Sequence, residues 1–412
     1  MRPVRAVVKY SSSWVAEAAG QCSRAAYVCH VEMTPLGAMS RSPRVAIDVR
    51  MAGHSGIGTY IRGLIGGMRE IGVPDDIAPI GLIGDPVKIA GCPELVEAEV
   101  VVPFSAPIYS LREQFLFPIP RRAALLHFPH YNVPRVVRTR FVVTIHDLIH
   151  LLMPEVLGSR LKRAISRSML QHAATRATAV LTVSEWSRRD IAQHLRIPEE
   201  RILVTPNAVA RGFQRPPAEA IARLRHDLAL PPRFFLAVGV YKPHKNFEFL
   251  VRGFARWSQR QGPEAPALVL CGPDKRGGIL LARLAVESGA KPGAVRVLPY
   301  LEHARLPGLY AAAEALIFPS LYEGFGLPPL EAQRVGIPVL ASNASCIPEV
   351  AGQGARYFDP RSERELHAAL SAVLDDPDQT RRLVDAGRAN EQRFSWETTA
   401  SLTLAAYRRA LG

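Results

Sequence analysis

This sequence predicts an α/β fold of two doubly wound, parallel-sheet domains facing each other across a cleft. Three observations carry that reading. Short apolar runs alternate with helical periods, the alternation restarts near residue 234, and 412 residues suit two domains better than one. Arg44-Val45-Ala46-Ile47-Asp48 reads as a buried strand, and Gly56-Ile57-Gly58 opens a helix from Thr59 to Glu70 that Gly72 stops. Further strands are expected at 77–83, 125–128, 141–145, 180–184 and 202–205, with helices at 161–174 and 185–195. Pro and Gly in residues 210–217 suit a linker. The second half repeats the pattern, with strands at 234–240, 267–271, 295–298, 315–318 and 338–341 and a helix from 245 to 259. Helical sequence follows Glu363, and Ser395 is placed to cap a last helix. The expected divisions are 1–42, an extension without sustained periodicity that should be disordered; 43–212, the first domain; 213–394, the second; and 395–412, a terminal helix free to pack back on the first. Met33 or Met39 would serve as an alternative start.

At 48% hydrophobic and 21% charged residues the composition is globular, which excludes a disordered chain. No apolar run approaches the roughly 18 residues of a membrane span, and the N-terminal stretch lacks the apolar core of a signal peptide. Five widely spread cysteines without metal-ligand spacing argue against a disulfide scaffold or zinc ribbon and fit a reducing cytoplasm. Fifty-one basic against 37 acidic residues leave a net charge of +14, so an anionic partner is expected. Only seven of the basic residues are lysine, a bias that genomic base composition also explains. No motif interleaves aromatic with basic residues, so nucleic acid is not the expected partner. Arg160, Lys162, Arg163 and Arg167, beside Leu161 and Ile165, can instead share one helix face against an anionic membrane surface; a solvated face explains the same spacing.

Ligands of doubly wound sheets bind beyond the carboxyl ends of the strands, so the loops after strands are where chemistry is sought. The most informative loop lies between a strand ending near Phe318 and a helix that Pro328-Pro329 should start. Gly324 and Gly326 let backbone N–H groups approach a ligand, and the helix N-terminus adds partial positive charge for an anion. Glu323 in the loop and Glu331, expected in the first helical turn, can accept hydrogen bonds from sugar hydroxyls beside such a phosphate site. For Glu331 alone, complementing its own helix dipole is the simpler explanation.

The spacing Glu323-x(7)-Glu331 around Gly324-Phe325-Gly326-Leu327-Pro328 resembles the signature of the retaining, nucleotide-sugar-dependent glycosyltransferases of family 4. Other segments resemble that family in order along the chain: His54 to Tyr60, Thr144 to His150, Val183 to Ser187, Pro206-Asn207, Gly239 to Asn246, and Ser342-Asn343 with Pro348-Glu349. The resemblance runs from Arg44 to the C-terminus. It implies the GT-B fold of two Rossmann-like domains and hexosyl transfer from a nucleotide diphosphate sugar to a hydroxyl, with no metal and no cofactor. A nucleotide-sugar epimerase of the same fold and a catalytically inactive nucleotide-binding module are the alternatives.

The same resemblance implies roles. His146, Lys245 and Glu323 form the catalytic set: Lys245 binds the diphosphate, Glu323 lies near the transferred sugar, and His146 contacts the sugar opposite the leaving phosphate. Gly56, Gly58, His244, Gly324, Phe325, Gly326, Leu327 and Glu331 form the donor-binding set, with Glu331 on the ribose hydroxyls. His244 stands where the family has arginine, and a histidine near its unperturbed pKa is mostly neutral at pH 7 and cannot make arginine's paired contact. Lys242 can replace part of that charge. Phe128-Pro129-His130-Tyr131-Asn132 resembles an acceptor-side segment, which makes His130, Tyr131 and Asn132 candidates for the acceptor pocket. His146, Asp147 and His150 offer metal-ligand types, but no further His or Cys joins them and the family needs none, so no metal is expected. Resemblance to bacterial mannosyl- and glucosyltransferases of surface polysaccharide synthesis favours GDP-mannose as donor, with UDP-glucose next. The acceptor is then a glycan or lipid-linked sugar, and the expected location is the cytoplasm or the inner face of its membrane.

Overall fold

The computed structural model describes residues 44–54, 56–95, 100–262 and 264–412; the extension expected over 1–42 lies outside the described residues. In chain order the first domain contains β1 (Val45–Asp48), α1 (Ile57–Ile71), β2 (Ile80–Gly84), α2 (Pro86–Ala90), β3 (Val100–Pro103), α3 (Leu111–Leu116), β4 (Leu125–Phe128), β5 (Phe141–Thr144), α4 (Ile149–Leu152), α5 (Pro154–Leu157), α6 (Arg160–Arg176), β6 (Ala179–Thr182), α7 (Glu185–Leu195) and β7 (Ile202–Val204). The second contains α8 (Ala218–Asp227), β8 (Phe234–Val238), α9 (Phe247–Gln261), β9 (Ala267–Cys271), α10 (Lys275–Glu287), β10 (Val295–Leu298), α11 (Leu306–Ala311), β11 (Ala315–Phe318), α12 (Leu327–Val335), β12 (Val339–Ser342), α13 (Ile347–Ala351), β13 (Arg356–Phe358), α14 (Glu363–Asp375) and α15 (Pro377–Glu391). Helix α16 (Trp396–Leu411) closes the chain.

Among the described residues, seven strands form one sheet in the order β3-β2-β1-β4-β5-β6-β7, and six form another in the order β10-β9-β8-β11-β12-β13. Neighbouring strands are parallel throughout, as in Val45 opposite Ile80 and Phe234 opposite Ala267. Alternate side chains serve two cores: Val45 and Ile47 face one and Ala46 the other, while Phe234 and Leu236 oppose Phe235 and Ala237. Burial on both faces is why the inner strands read as unbroken apolar runs. In each sheet the strand order reverses once, between β1 and β4 and between β8 and β11. A crevice opens beyond the carboxyl ends at each of these switch points.

Helix α16 returns to the first domain, where Trp396, Leu404 and Tyr407 share a core with Tyr60, Leu64 and Met68 of α1. A Cβ on Gly63 would lie 2.1 Å from the Trp396 ring, and one on Gly67 would lie 2.3 Å from the Trp396 carbonyl oxygen. The two helices meet because those positions carry no side chain.

The structure departs from the sequence reading in a few places. The strand expected from 77 begins at Ile80, because Ile77 N–H closes a turn on the Pro74 carbonyl (2.9 Å) and Pro79 has no N–H to give a ladder. The edge strands β3 and β13 were not expected from the sequence: both are half-exposed, β3 is three valines ended by Pro103, and β13 is the three residues Arg356–Phe358. The helix expected from 245 begins at Phe247. Lys245 instead ends a 3-10 turn, Pro243–Lys245, which the left-handed Asn246 (φ 57°) separates from α9.

Candidate active site

The loops after β8 and β11 meet at the second sheet's switch point. Lys245, from the first, places Nζ 2.7 Å from Oε1 of Glu323, from the second, and both side chains are largely covered. Nζ also lies 5.3 Å from the centre of the Phe318 ring, within cation–π range. The Asn246 amide donates to the carbonyls of Pro319 (3.2 Å) and Pro360 (2.8 Å), and Leu321 N–H donates to the His244 carbonyl (2.7 Å). From behind, Ser345 Oγ accepts the Glu323 N–H (3.0 Å), while the Cys346 thiol reaches the carbonyls of Glu323 (3.1 Å) and Phe325 (3.2 Å). The position of the carboxylate is therefore set by the fold.

Gly324 is a point where the two domains touch. Its carbonyl accepts from Ser184 Oγ (2.7 Å), and Ser187 Oγ lies 3.2 Å from it and 3.1 Å from the His146 carbonyl. A Cβ on Gly324 would sit 2.2 Å from that His146 oxygen. The His146 backbone thus meets the loop of Glu323 from the other domain, while its ring turns to Pro129 and Tyr60. Nearby, the Glu349 carboxylate accepts the N–H groups of Glu185 (2.7 Å) and Trp186 (3.0 Å), a charge set against the N-terminus of α7. Tyr322 adds a hydrogen bond to Asp190 Oδ2 (2.6 Å). The 183–187 and 348–349 segments are two halves of one interdomain contact.

His146 donates through Nε2 to the Pro129 carbonyl (2.9 Å), which leaves Nδ1 as the free acceptor. Burial lowers its pKa against the opposing pull of Pro129 and Asp147, so the ring is neutral. His244 Nδ1 is buried without a hydrogen-bond partner among the described residues. Burial brings its pKa down to about 4, with Glu323 raising it and Lys245 and Lys242 lowering it further. Glu331 is in the second turn of α12 rather than the first, because the helix starts at Leu327 behind left-handed Gly326 (φ 90°). Its Oε2 accepts the Tyr310 hydroxyl (2.7 Å), and burial raises its carboxyl to about 7, opposed by Tyr310 and Lys245. Tyr310, rather than its own helix terminus, is its partner.

The remaining donor-set residues divide. Phe325 is buried against Phe394 (ring centres 5.5 Å), and Leu327 packs on the second-domain core, so both support the loop from within. Gly56, with φ 72°, has open space where a Cβ would be. Gly58 is packed closely: a Cβ there would lie 2.4 Å from the Ala52 carbonyl oxygen.

At the first sheet's switch point lies a hollow whose walls include Asp48, Met51, Ile57, Phe128, His130 and Asn132. His130 stacks on Tyr131 (ring centres 4.1 Å), and burial, reinforced by neighbouring histidines, takes its pKa to about 3. Tyr131 is a correction to the expected acceptor set. Its hydroxyl turns inward, 3.2 Å from Tyr109 and 2.8 Å from His150 Nδ1, and is already hydrogen-bonded. Asn132 directs Nδ2 to both oxygens of Glu113 (2.7 and 2.8 Å). Glu113, fully buried, also accepts from Arg50 Nη2 (2.5 Å) and Tyr109 N–H (2.7 Å). Arg50 forks onto Asp48 (2.9 and 2.6 Å), with its guanidinium near the rings of Phe104 and Phe117.

Asp48, Arg50 and Glu113 were not found from the sequence, although Glu113 is the one acidic residue between Phe104 and Arg140. A second buried chain, also missed, runs from Tyr407 of α16 through His127 (2.6 Å) and Thr144 (2.8 Å) to Tyr60 (3.0 Å). The Tyr60 ring packs edge-on against His146 (ring centres 4.9 Å).

Known proteins share this arrangement. Residues 55–211 match Glycosyltransferase Family 4, and residues 221–390 match Glycosyl transferases group 1. O-antigen chain mannosyltransferase B of Escherichia coli is 33% identical over 286 residues, covering 69% of this chain and 74% of that protein. Serotype-specific mannosyltransferase WbdA of Escherichia coli is 31% identical over 288 residues, covering 69% of this chain and 34% of that protein. Anabaena HepE, solved with UDP and glucose, superposes with a TM-score of 0.69 at 19% identity, covering 89% of this chain and 100% of that one. At that identity the likeness is one of fold. Two Rossmann-like domains with a cleft at their switch points are the GT-B architecture of glycosyltransferases. Within that class, the chain belongs to glycosyltransferase family 4.

Proposed function

We propose that the protein is a retaining mannosyltransferase. It moves a mannosyl unit from a nucleotide diphosphate sugar, GDP-mannose ahead of UDP-glucose as an alternative hexosyl donor, to a hydroxyl of a glycan or lipid-linked acceptor, without a metal ion. The observation that carries this reading is the Lys245–Glu323 pair at the second switch point, beside Gly324 where that loop meets the His146 carbonyl of the facing domain. The departing nucleoside diphosphate gains negative charge, and a cation held in a covered site acts most strongly on charge that grows there. An arriving diphosphate competes with Glu323 for Lys245 and frees that carboxylate towards the sugar. His244 offers its unpartnered ring nitrogen to a phosphate oxygen, and the anion raises its pKa from about 4. Glu331, once ionised, accepts ribose hydroxyls. The choice of mannose is supported by the two mannosyltransferases at 31% and 33% identity. Among the described residues no helix is long and apolar enough to cross a membrane, and the proposed location is the cytoplasm, peripheral at the inner face of its membrane.

The test is product analysis. Incubation with GDP-mannose or UDP-glucose, with and without EDTA, is followed by released nucleotide and by NMR of the product's anomeric centre. A retained configuration with no effect of EDTA is expected. An inverted product, a requirement for added metal, or a C2-epimerised sugar without transfer would overturn the reading.

A further inference from the structure

Exposed apolar side chains concentrate on two helices of the first domain. On α3, Leu111, Phe115 and Leu116 are 78%, 70% and 65% exposed; on α6, Leu161 and Ile165 are 70% and 51% exposed. Arg135 joins the two: its N–H donates to Gln114 Oε1 of α3 (3.2 Å), and its guanidinium to Ser168 Oγ of α6 (3.2 Å). The two helices therefore belong to one stretch of surface. A cluster of large apolar side chains rimmed by polar groups marks an interaction site more often than a bare surface.

The charge of the same stretch selects the partner. Helix α3 carries Arg112, Arg135 bridges it to α6, and the one acid between Phe104 and Arg140 is Glu113. That carboxylate points inward, on Arg50 and Asn132. Helix α6 carries Arg160, Lys162, Arg163, Arg167 and Arg176 and no acid. Apolar tips beside these cations complement lipid phosphates over an apolar interior, and Glu155 of the neighbouring α5 is the exposed carboxylate nearest α6 in the chain.

We propose that α3 and α6 together form an insertion surface for an anionic lipid bilayer. Leu111, Phe115, Leu116, Leu161 and Ile165 enter the headgroup layer, and the flanking arginines and Lys162 rest on lipid phosphates. Helix α3 faces two ways: Phe115 points to the lipid, and Glu113 holds Asn132 at the edge of the first-domain hollow. Docking brings that hollow to the membrane surface, where a lipid-linked acceptor would be met. The docking deepens the peripheral location proposed above, and that last step rests on the acceptor reading as well.

Sedimentation of the full chain with vesicles tests it. Binding is expected to mixed phosphatidylcholine and phosphatidylglycerol, not to phosphatidylcholine alone, and to weaken with salt. A Phe115→Ser/Leu116→Ser double variant should bind about tenfold more weakly or worse, at an unchanged melting temperature because both residues are exposed. An Arg160→Gln/Lys162→Gln/Arg167→Gln variant should weaken likewise. Equal binding to neutral vesicles, no binding, or full binding by the double variant would overturn the proposal. So would a concentration-dependent dimer that the double variant dissolves, since the patch would then join copies of the chain. Transfer to a water-soluble acceptor without vesicles should survive in the double variant. Failure of wild-type transfer with docking intact would count against the glycosyl-transfer reading alone.

Discussion

The two switch points hold their loops together in different ways. In the second sheet, one ion pair spans the crevice, its members covered but reachable, and a neighbouring imidazole nitrogen has no partner among the described residues. In the first sheet, Arg50, Asp48, Glu113 and Asn132 span the corresponding place, and Glu113 already takes hydrogen bonds from three residues in full burial. The two places therefore divide the work on the function proposed above: the second switch point would exchange charge partners when an anion arrives, whereas the first is a shape held by its own hydrogen bonds.

Breaking the preset side should therefore cost stability, and breaking the exchangeable side should cost rate. Glu113→Ala leaves Arg50 with Asp48 and the Ala106 carbonyl and strands the Asn132 amide and the Tyr109 N–H, and removing one partner of a buried pair costs about 3–5 kcal/mol. Urea unfolding should show a loss of that order with nucleotide affinity kept; an unchanged midpoint would remove the cluster from its structural role. Lys245→Ala should lower kcat by about 10²–10³, or roughly 3–4 kcal/mol in the transition state, at a near-constant unfolding midpoint. Retention of a large part of wild-type kcat would take Lys245 out of the mechanism.

Gly324→Ala tests the contact between the sides. Its methyl would have to occupy a place 2.2 Å from the His146 carbonyl oxygen, and overpacking of that kind costs about 1–3 kcal/mol. The strain should part the loop from His146, so kcat should fall alongside stability; wild-type kinetics would show that this approach is not needed for turnover.

The smallest effect is in pH. Folding raises the Glu331 carboxyl from 4.5 to about 7, so the folded state holds this proton more tightly than the unfolded one. The stability it contributes is full below pH 4.5 and is lost as pH rises to about 7. Donor affinity, which needs the carboxylate, should rise as pH passes through about 7. Glu331→Gln should flatten both slopes; unchanged slopes would assign them to another group.

What was legible in the sequence follows the same division. Lys245, Glu323 and Gly324 stand in loops, and Glu331 in the helix that follows one, where the chemistry is written in local spacing next to strands marked by unbroken apolar runs. Arg50 and Glu113 lie 63 positions apart, and Tyr407 and His127 lie 280 apart. Nothing in the local pattern at either end says that such residues meet. Side-chain direction was equally hidden: Tyr131 reads as a loop aromatic, and only the packing of α6 and the 109–113 segment turns its hydroxyl inward. Leu161 and Ile165 were legible as apolar residues among cations, but α3, six residues long, carries too short a pattern to be read as a helix.

Above all, the second switch point should bind a nucleotide diphosphate sugar through Lys245. Thermal unfolding of the full chain with GDP, GDP-mannose, UDP, UDP-glucose and ADP, for the wild type and Lys245→Ala, tests it most directly. GDP and GDP-mannose should stabilise the wild type most, by about 2.7 kcal/mol at a hundred times the dissociation constant, and Lys245→Ala should lose most of that gain. No stabilisation by any nucleotide, or equal stabilisation of the variant, would contradict it.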